Sequence, residues 1–160
     1  MPTYRDNPYG AFNFIVSIGG ATGDGEAGKI VGGFSDCSGL GFEVSYSDYR
    51  NGNEKSNTVR HVQNSFKNDE VVLKRGLVGS TDLFDWLKAT REGTIDPRSV
   101  SIKVLDEARN AVATFTLLNA QAKKWTGPTM NSQQDGVAIE SLEIAHEGLV
   151  PLPLTPPGVG

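Results

Sequence analysis

The chain has 160 residues, of which 38% are hydrophobic and 19 are glycine, a size and composition that fit one domain with its own core. Fifteen Lys and Arg against 19 Asp and Glu leave a formal charge of -4, which argues against a general nucleic-acid binder. The single cysteine, Cys37, excludes an internal disulfide, and no apolar run approaches the roughly 18 residues of a membrane span.

Met1–Gly10 lacks the basic-then-apolar order of a signal peptide, so the expectation is a soluble chain made in the cytosol. Phe12, Phe14, Val16 and Ile18 alternate with more polar neighbours and predict a half-buried strand. Gly19–Gly28 reads as a loop, and Lys29–Phe34 as a short arm that pairs back. Phe42, Val44 and Tyr46 alternate with Glu43, Ser45 and Ser47, a second strand that ends at the turn Asn51-Gly52. Asn53–Asn68 is polar and reads as a long extension loop, with Val59, Val62 and Phe66 spaced for one side of a short helix. Glu70–Arg75 is a strand.

The clearest helix is predicted from about Ser80 to Arg91. Ser80 or Thr81 caps it, Asp82 and Asp85 sit near its positive end, and Lys88 and Arg91 near its negative end. Leu83, Phe84 and Leu87 form its apolar stripe with Trp86 beside it, and Gly93 closes it. Val100, Ile102 and Val104 mark a strand, Asp106–Asn110 a hairpin loop, and Ala111–Leu118 a return strand that is apolar on both faces. Val137–Val150 fits either a helix stripe (Ile139, Leu142, His146, Leu149) or a strand, and the surrounding meander favours strand. The expected fold is mainly β (α+β): a small antiparallel β-barrel or two-sheet sandwich with one flanking α-helix and a long polar extension loop. Residues 1–150 form the domain, and 151–160, with four of the eight prolines, form a tail that runs extended.

No catalytic, metal or cofactor constellation emerges. Gly23-Asp24-Gly25-Glu26-Ala27-Gly28 has the spacing of a dinucleotide loop, but no helix follows and Asp24 and Glu26 would repel phosphate. His61 and His146 lie far apart in sequence, Cys37 has no C-x-x-C partner, and no serine sits in G-x-S-x-G. The pairs Asp82/Asp85 and Glu140/Glu143 read as helix-end and solvent-face charges. The positional charge is more informative. Arg50–Arg75 carries six basic and three acidic residues, whereas the chain from Asp135 onward carries four acidic residues and no Lys or Arg. Head-to-tail association could use such poles, with Arg50, Lys55, Arg60 and Lys67 facing Glu140, Glu143 and Glu147 of a neighbour.

Three segments carry a family resemblance. Phe34-Ser35-Asp36-Cys37-Ser38-Gly39-Leu40 resembles the F-S-E-x-S-G-L segment of the inner tube proteins of contractile phage tails and phage-tail-like injection systems. Val72 to Trp86 is similar to that family's L-K-R-G-x-x-G-x-x-x-L-x-x-W, and Ala138 to Leu149 to its closing E-x-L-x-x-x-H-E-G-L. Order and spacing agree from about Phe12 to Leu149.

The resemblance implies a structural subunit without an active site or cofactor, made in the bacterial cytoplasm and not inserted into a membrane. Six copies would form a ring, and rings would stack into a hollow tube within a sheath. Its other partners would be the baseplate, tube-terminating proteins and a cargo of DNA or protein effector. Gly39 and Gly76 would occupy tight backbone positions, and Leu83 and Trp86 would anchor the helix. A type VI secretion-like ring protein and a monomeric ligand-binding β-barrel are the alternatives.

Overall fold

A computed structural model of the chain describes residues 7–19, 30–53, 55 and 58–153. Among these residues ten strands and one helix follow in order: β1 (Phe14–Ile18), β2 (Ile30–Gly32), β3 (Asp36–Ser38), β4 (Phe42–Tyr49), β5 (Arg60–Asn68), β6 (Val71–Gly76), α1 (Asp82–Arg91), β7 (Arg98–Leu105), β8 (Ala111–Thr126), β9 (Ile139–Ala145) and β10 (Gly148–Pro153). The glycine-rich G-x-G-x-x-G segment lies outside the described residues.

Every pairing is antiparallel, in the order β2-β1-β7-β8-β9-β6-β3, with β10 also on β8 and with β4-β5 as a separate pair. The path does not close into a barrel, so of the two expected architectures the two-sheet sandwich fits. The 16-residue β8 joins the two sheets. Its first half runs between β7 and β10, and its second half passes to β9. The switch falls at Asn119, which takes a φ of 48° and donates from Nδ2 to Glu147 Oε2 at 2.8 Å. Asparagine tolerates this left-handed conformation better than other side-chain-bearing residues.

The core forms where the strand periodicities converge. Val16 and Ile18 of β1, Val71 and Leu73 of β6, Val100 and Ile102 of β7, Leu117 of β8, and Leu142 and Ile144 of β9 are all buried. Each fully buried aliphatic chain of this kind contributes roughly 1.5–3 kcal/mol. Helix α1 adds Leu83 and Trp86, which are 0% and 1% exposed. Its buried stripe is therefore centred on Leu83 and Trp86. Phe84 and Leu87 lie only partly buried, and Phe84 meets Trp125 edge-on with centroids 5.2 Å apart. Thr81 occupies the N-cap position, but its hydroxyl donates to Asp85 Oδ2 at 3.0 Å rather than capping the helix. Gly93 (φ 93°) ends the helix, as its N–H donates to Thr90 O and that of Thr94 to Ala89 O.

Trp86 is fixed by more than packing. Its Nε1 donates to Asp96 O at 2.9 Å, and Arg98 lies over its ring at 5.2 Å. Trp86→Phe keeps most of the apolar volume and leaves that carbonyl without its donor. The expected loss is about 1–3 kcal/mol in urea denaturation.

Two expectations change here. Asn53–Asn68 is not a loop or helix, because most of it is β5, paired with β4. A register shift between Val44 and Tyr46 puts Phe66 on one face of the ribbon and Val62 on the other, which erases the period-2 signal and leaves a helix-like spacing. The tail boundary also moves. β10 continues through Pro153, past residue 150, pairing Pro151 with Phe115 and Pro153 with Ala113. Prolines lack an N–H, and β10 tolerates two because among the described residues it pairs on one side only, with β8.

Candidate assembly surface

The β4–β5 ribbon is the part of the described chain with least internal support. All of its residues are exposed except Val44 and Asn68, which are partly buried. A two-stranded ribbon alone is marginal in water, so exposure on both faces points to a covering partner. Register separates the faces. Phe42, Val44, Tyr46 and Phe66 share one, and Glu43, Ser45, Ser47, Val62, Ser65 and Lys67 the other. On the polar face Ser45 bonds Ser65, its Oγ donating to Ser65 O at 3.1 Å. The apolar face leaves Phe42 64%, Tyr46 60% and Phe66 65% exposed. Single exposed apolar residues are ordinary, but three large rings on one face form a patch of the kind found at interfaces.

The predicted basic residues gather on this arm. Arg50 follows β4, Arg60 opens β5, Lys55 lies in the exposed connection between them, and Lys67 stands near the root. His61 Nδ1 lies 2.8 Å from Asp48 Oδ1 close to the tip, with both side chains exposed.

The predicted acidic residues do not form one surface. Glu147 is exposed, accepting a bond from Asn119. Glu143 is half-buried, beside the Glu70–Lys123 ion pair. Glu140 is only 2% exposed and pairs inside the subunit with Arg75, whose Nε lies 2.6 Å from its Oε1. Trp125 Nε1 donates to the other Glu140 oxygen at 3.0 Å. The Glu140 carboxylate is therefore a core group and neither a solvent-face charge nor a contact to a neighbour. Sequence reasoning missed Arg75 as its partner, although a signal existed. Glu140 is in phase with Leu142 and Ile144, and Arg75 with Val71 and Leu73, so both charges fall on inward faces.

The other expected anchors divide. Gly39 has φ 85°, and a Cβ there would sit 2.0 Å from the Glu70 carbonyl oxygen. Gly76 is not tight: an added Cβ would meet only Val137 Cγ1, at 3.7 Å, because the chain at the end of β6 has ordinary room. Cys37 is half-buried, and burial followed by the charge of Asp36 pushes its thiol up to about 11, far from a reactive thiolate. Among the described residues no group of three His, Cys, Asp or Glu side chains is placed to hold a metal, and no helix is long and apolar enough to cross a membrane.

Comparison with known proteins places this geometry. A structure of the anti-feeding prophage baseplate, six-fold symmetrised, contains a chain that superposes with a TM-score of 0.82 at 21% identity, covering 93% of this chain and 98% of that one. A chain of an extracellular contractile injection system, in the PVC sheath–tube complex in its extended state, gives 0.79 at 20% identity, covering 93% and 94%. A chain from the sheath/tube terminator of such a system gives 0.78 at 19% identity, covering 92% and 98%. At these identities the likeness establishes the fold. No curated protein sequence matches. Residues 10–150 match the family described as T4-like virus tail tube protein gp19. The chain belongs to that tail tube protein family.

Proposed function

We propose that six copies of this chain close into a ring and that the rings stack into the hollow inner tube of a contractile tail or injection particle. The β4–β5 arm carries the reading, since a ribbon exposed on both faces needs a neighbour. The fold match to chains in a six-fold baseplate and a sheath–tube complex supports the same arrangement, with a sheath, a baseplate and a terminator as further partners. DNA or a protein effector would be the cargo. The work of such a subunit is assembly, and its residues act through contacts rather than chemistry.

Size-exclusion chromatography with light scattering, followed by negative-stain microscopy, tests this. Rings or striated hollow rods are expected; a monomer that persists at high concentration overturns the reading. Stacking draws on the arm's positive charge, with Glu143 and Glu147 as the acidic groups facing it. Exposed ion pairs are worth only about 0.2–1 kcal/mol each, but six subunits repeat every pair. Reversing Lys55 and Arg60 to Glu together should raise the critical concentration for tube growth roughly tenfold or more and leave the monomer folded. The wild-type dependence on salt should weaken in the same variant, because screening would have less attraction to remove. Tubes that grow normally from it would exclude the basic arm from stacking.

A further inference from the structure

A second surface feature matches the arm. Between β1, β3 and β7 lies an open groove of about 290 Å³, walled by Phe14, Cys37, Leu40, Ile102 and Val104. Among the described residues lining it Asp36 is the one that carries a charge, and Ala11 is an exposed member of the wall. We infer that the apolar face of the β4–β5 arm of one copy seats in this groove of a second copy, with Tyr46 entering it. The inference rests on the tube reading and names the two surfaces that meet.

Three observations support that occupant over others. The first is that the arm does not cover the groove of its own chain, since Tyr46 remains 60% exposed. The second is reach. Leu40 of the groove wall is two residues from the start of β4, so the groove lies at the root of the arm. Tyr46 stands four residues into β4, roughly 13 Å from that root at about 3.3 Å per residue. A socket at the root and a plug farther along the same ribbon form a head-to-tail contact, which propagates into a ring or a helix and does not end at a dimer. The third is chemistry. A tyrosine offers an apolar ring to apolar walls and a hydroxyl that can donate to the Asp36 carboxylate. Among the described lining residues the one charge, Asp36, is negative, so the socket does not repel an arm that carries Arg50, Lys55 and Arg60 beyond the plug.

The test is a cross-link in the full-length chain. In a Cys37→Ala background, Ala11→Cys and Tyr46→Cys are combined, and assembled material is treated with a short bis-maleimide. A ladder of covalent multimers larger than a dimer is expected on a denaturing gel. Mixing the two single-cysteine chains should give dimers only. Because Tyr46→Cys removes the plug itself, the unaltered chain supplies a second measurement. Labelling of Cys37 by N-ethylmaleimide should slow at least tenfold in tubes relative to dissociated subunits. Rings or tubes that form with no intermolecular adduct, and with Cys37 labelled as fast as in the free subunit, would overturn the groove and leave the tube reading standing. A cross-link confined to one chain would overturn it as well. If only monomers are ever found, the tube reading and this inference fall together.

Discussion

Arg75→Ala should cost about 3–5 kcal/mol of folding stability, far more than a surface ion pair would. Arg75 is 4% exposed on β6 and stands directly opposite Glu140 of β9 in the register. Its guanidinium also bonds Asp82 in the first turn of α1, and it lies over the Phe34 ring at 5.8 Å. One side chain thus connects two strands and the start of the helix. Its removal leaves Glu140 buried with Trp125 as its remaining donor, and an uncompensated buried carboxylate is the expensive outcome. Arg75→Lys should recover little, because an ammonium lacks the planar fork that reaches both carboxylates. The double replacement Arg75→Met with Glu140→Met should regain most of the loss, since apolar groups of similar volume commonly match a buried pair. Urea denaturation of the wild type and these three variants, at a concentration that keeps them monomeric, reads the differences. A loss below 1 kcal/mol for Arg75→Ala would mean that the pair does not hold the helix to the sheet.

The same cluster sets an acid response. Burial would raise the Asp82 carboxyl, but the hydrogen bond and charge of Arg75 outweigh it and hold it below its ordinary value of 3.8. A depressed folded value means stability that is present above the unfolded value and lost as pH falls through the folded one. Arg75→Met should therefore flatten the acid side of the stability profile, as measured by thermal unfolding between neutral pH and the acid range.

The elements legible in sequence were those with an unbroken period. β1, β7 and the first half of β8 read as strands from alternating or continuous apolar residues, and α1 from its stripe and its terminal charges. Two of the misses share a cause. β5 and the second half of β8 each contain a register shift, and a single extra residue moves every following side chain to the other face. Glu140 was misplaced for a different reason: a charge near an acidic terminus looks solvated unless its phase with Leu142 and Ile144 is given priority. The groove at the arm's root depends on contacts distant in sequence and has no local signature. Gly39 was legible only through the resemblance, since a glycine in a loop-rich stretch does not by itself reveal which backbone crosses it.

Gly39→Ala should cost roughly 3–5 kcal/mol and abolish assembly, although it adds one methyl group. Gly39 follows β3, where the chain turns toward the arm, and takes a φ of 85°. A side-chain-bearing residue in that region costs about 1–2 kcal/mol from local strain. The larger part comes from what lies opposite. The new Cβ would fall 2.0 Å from Glu70 O, 2.9 Å from Glu70 C and 3.3 Å from Val71 Cα, all backbone atoms at the start of β6. No rotamer change relieves a clash with backbone, so the crossing itself must open. That opening strains the short bonds beside it, Gly41 N to Gly39 O and Asp69 N to Gly41 O, both 3.0 Å, which tie the roots of β4 and β5 together. Gly79 and Gly93 provide the control, for each has a positive φ (78° and 93°) with nothing within 4 Å of an added Cβ. Alanine at either should cost only about 1 kcal/mol. Thermal unfolding of the three variants separates strain from collision, and a Gly39 loss equal to the other two would mean that the crossing has slack. The F-S-D-C-S-G-L segment then has a physical basis: its glycine lets the root of the arm cross β6 at backbone contact, and from that crossing the arm takes its direction toward a neighbouring subunit.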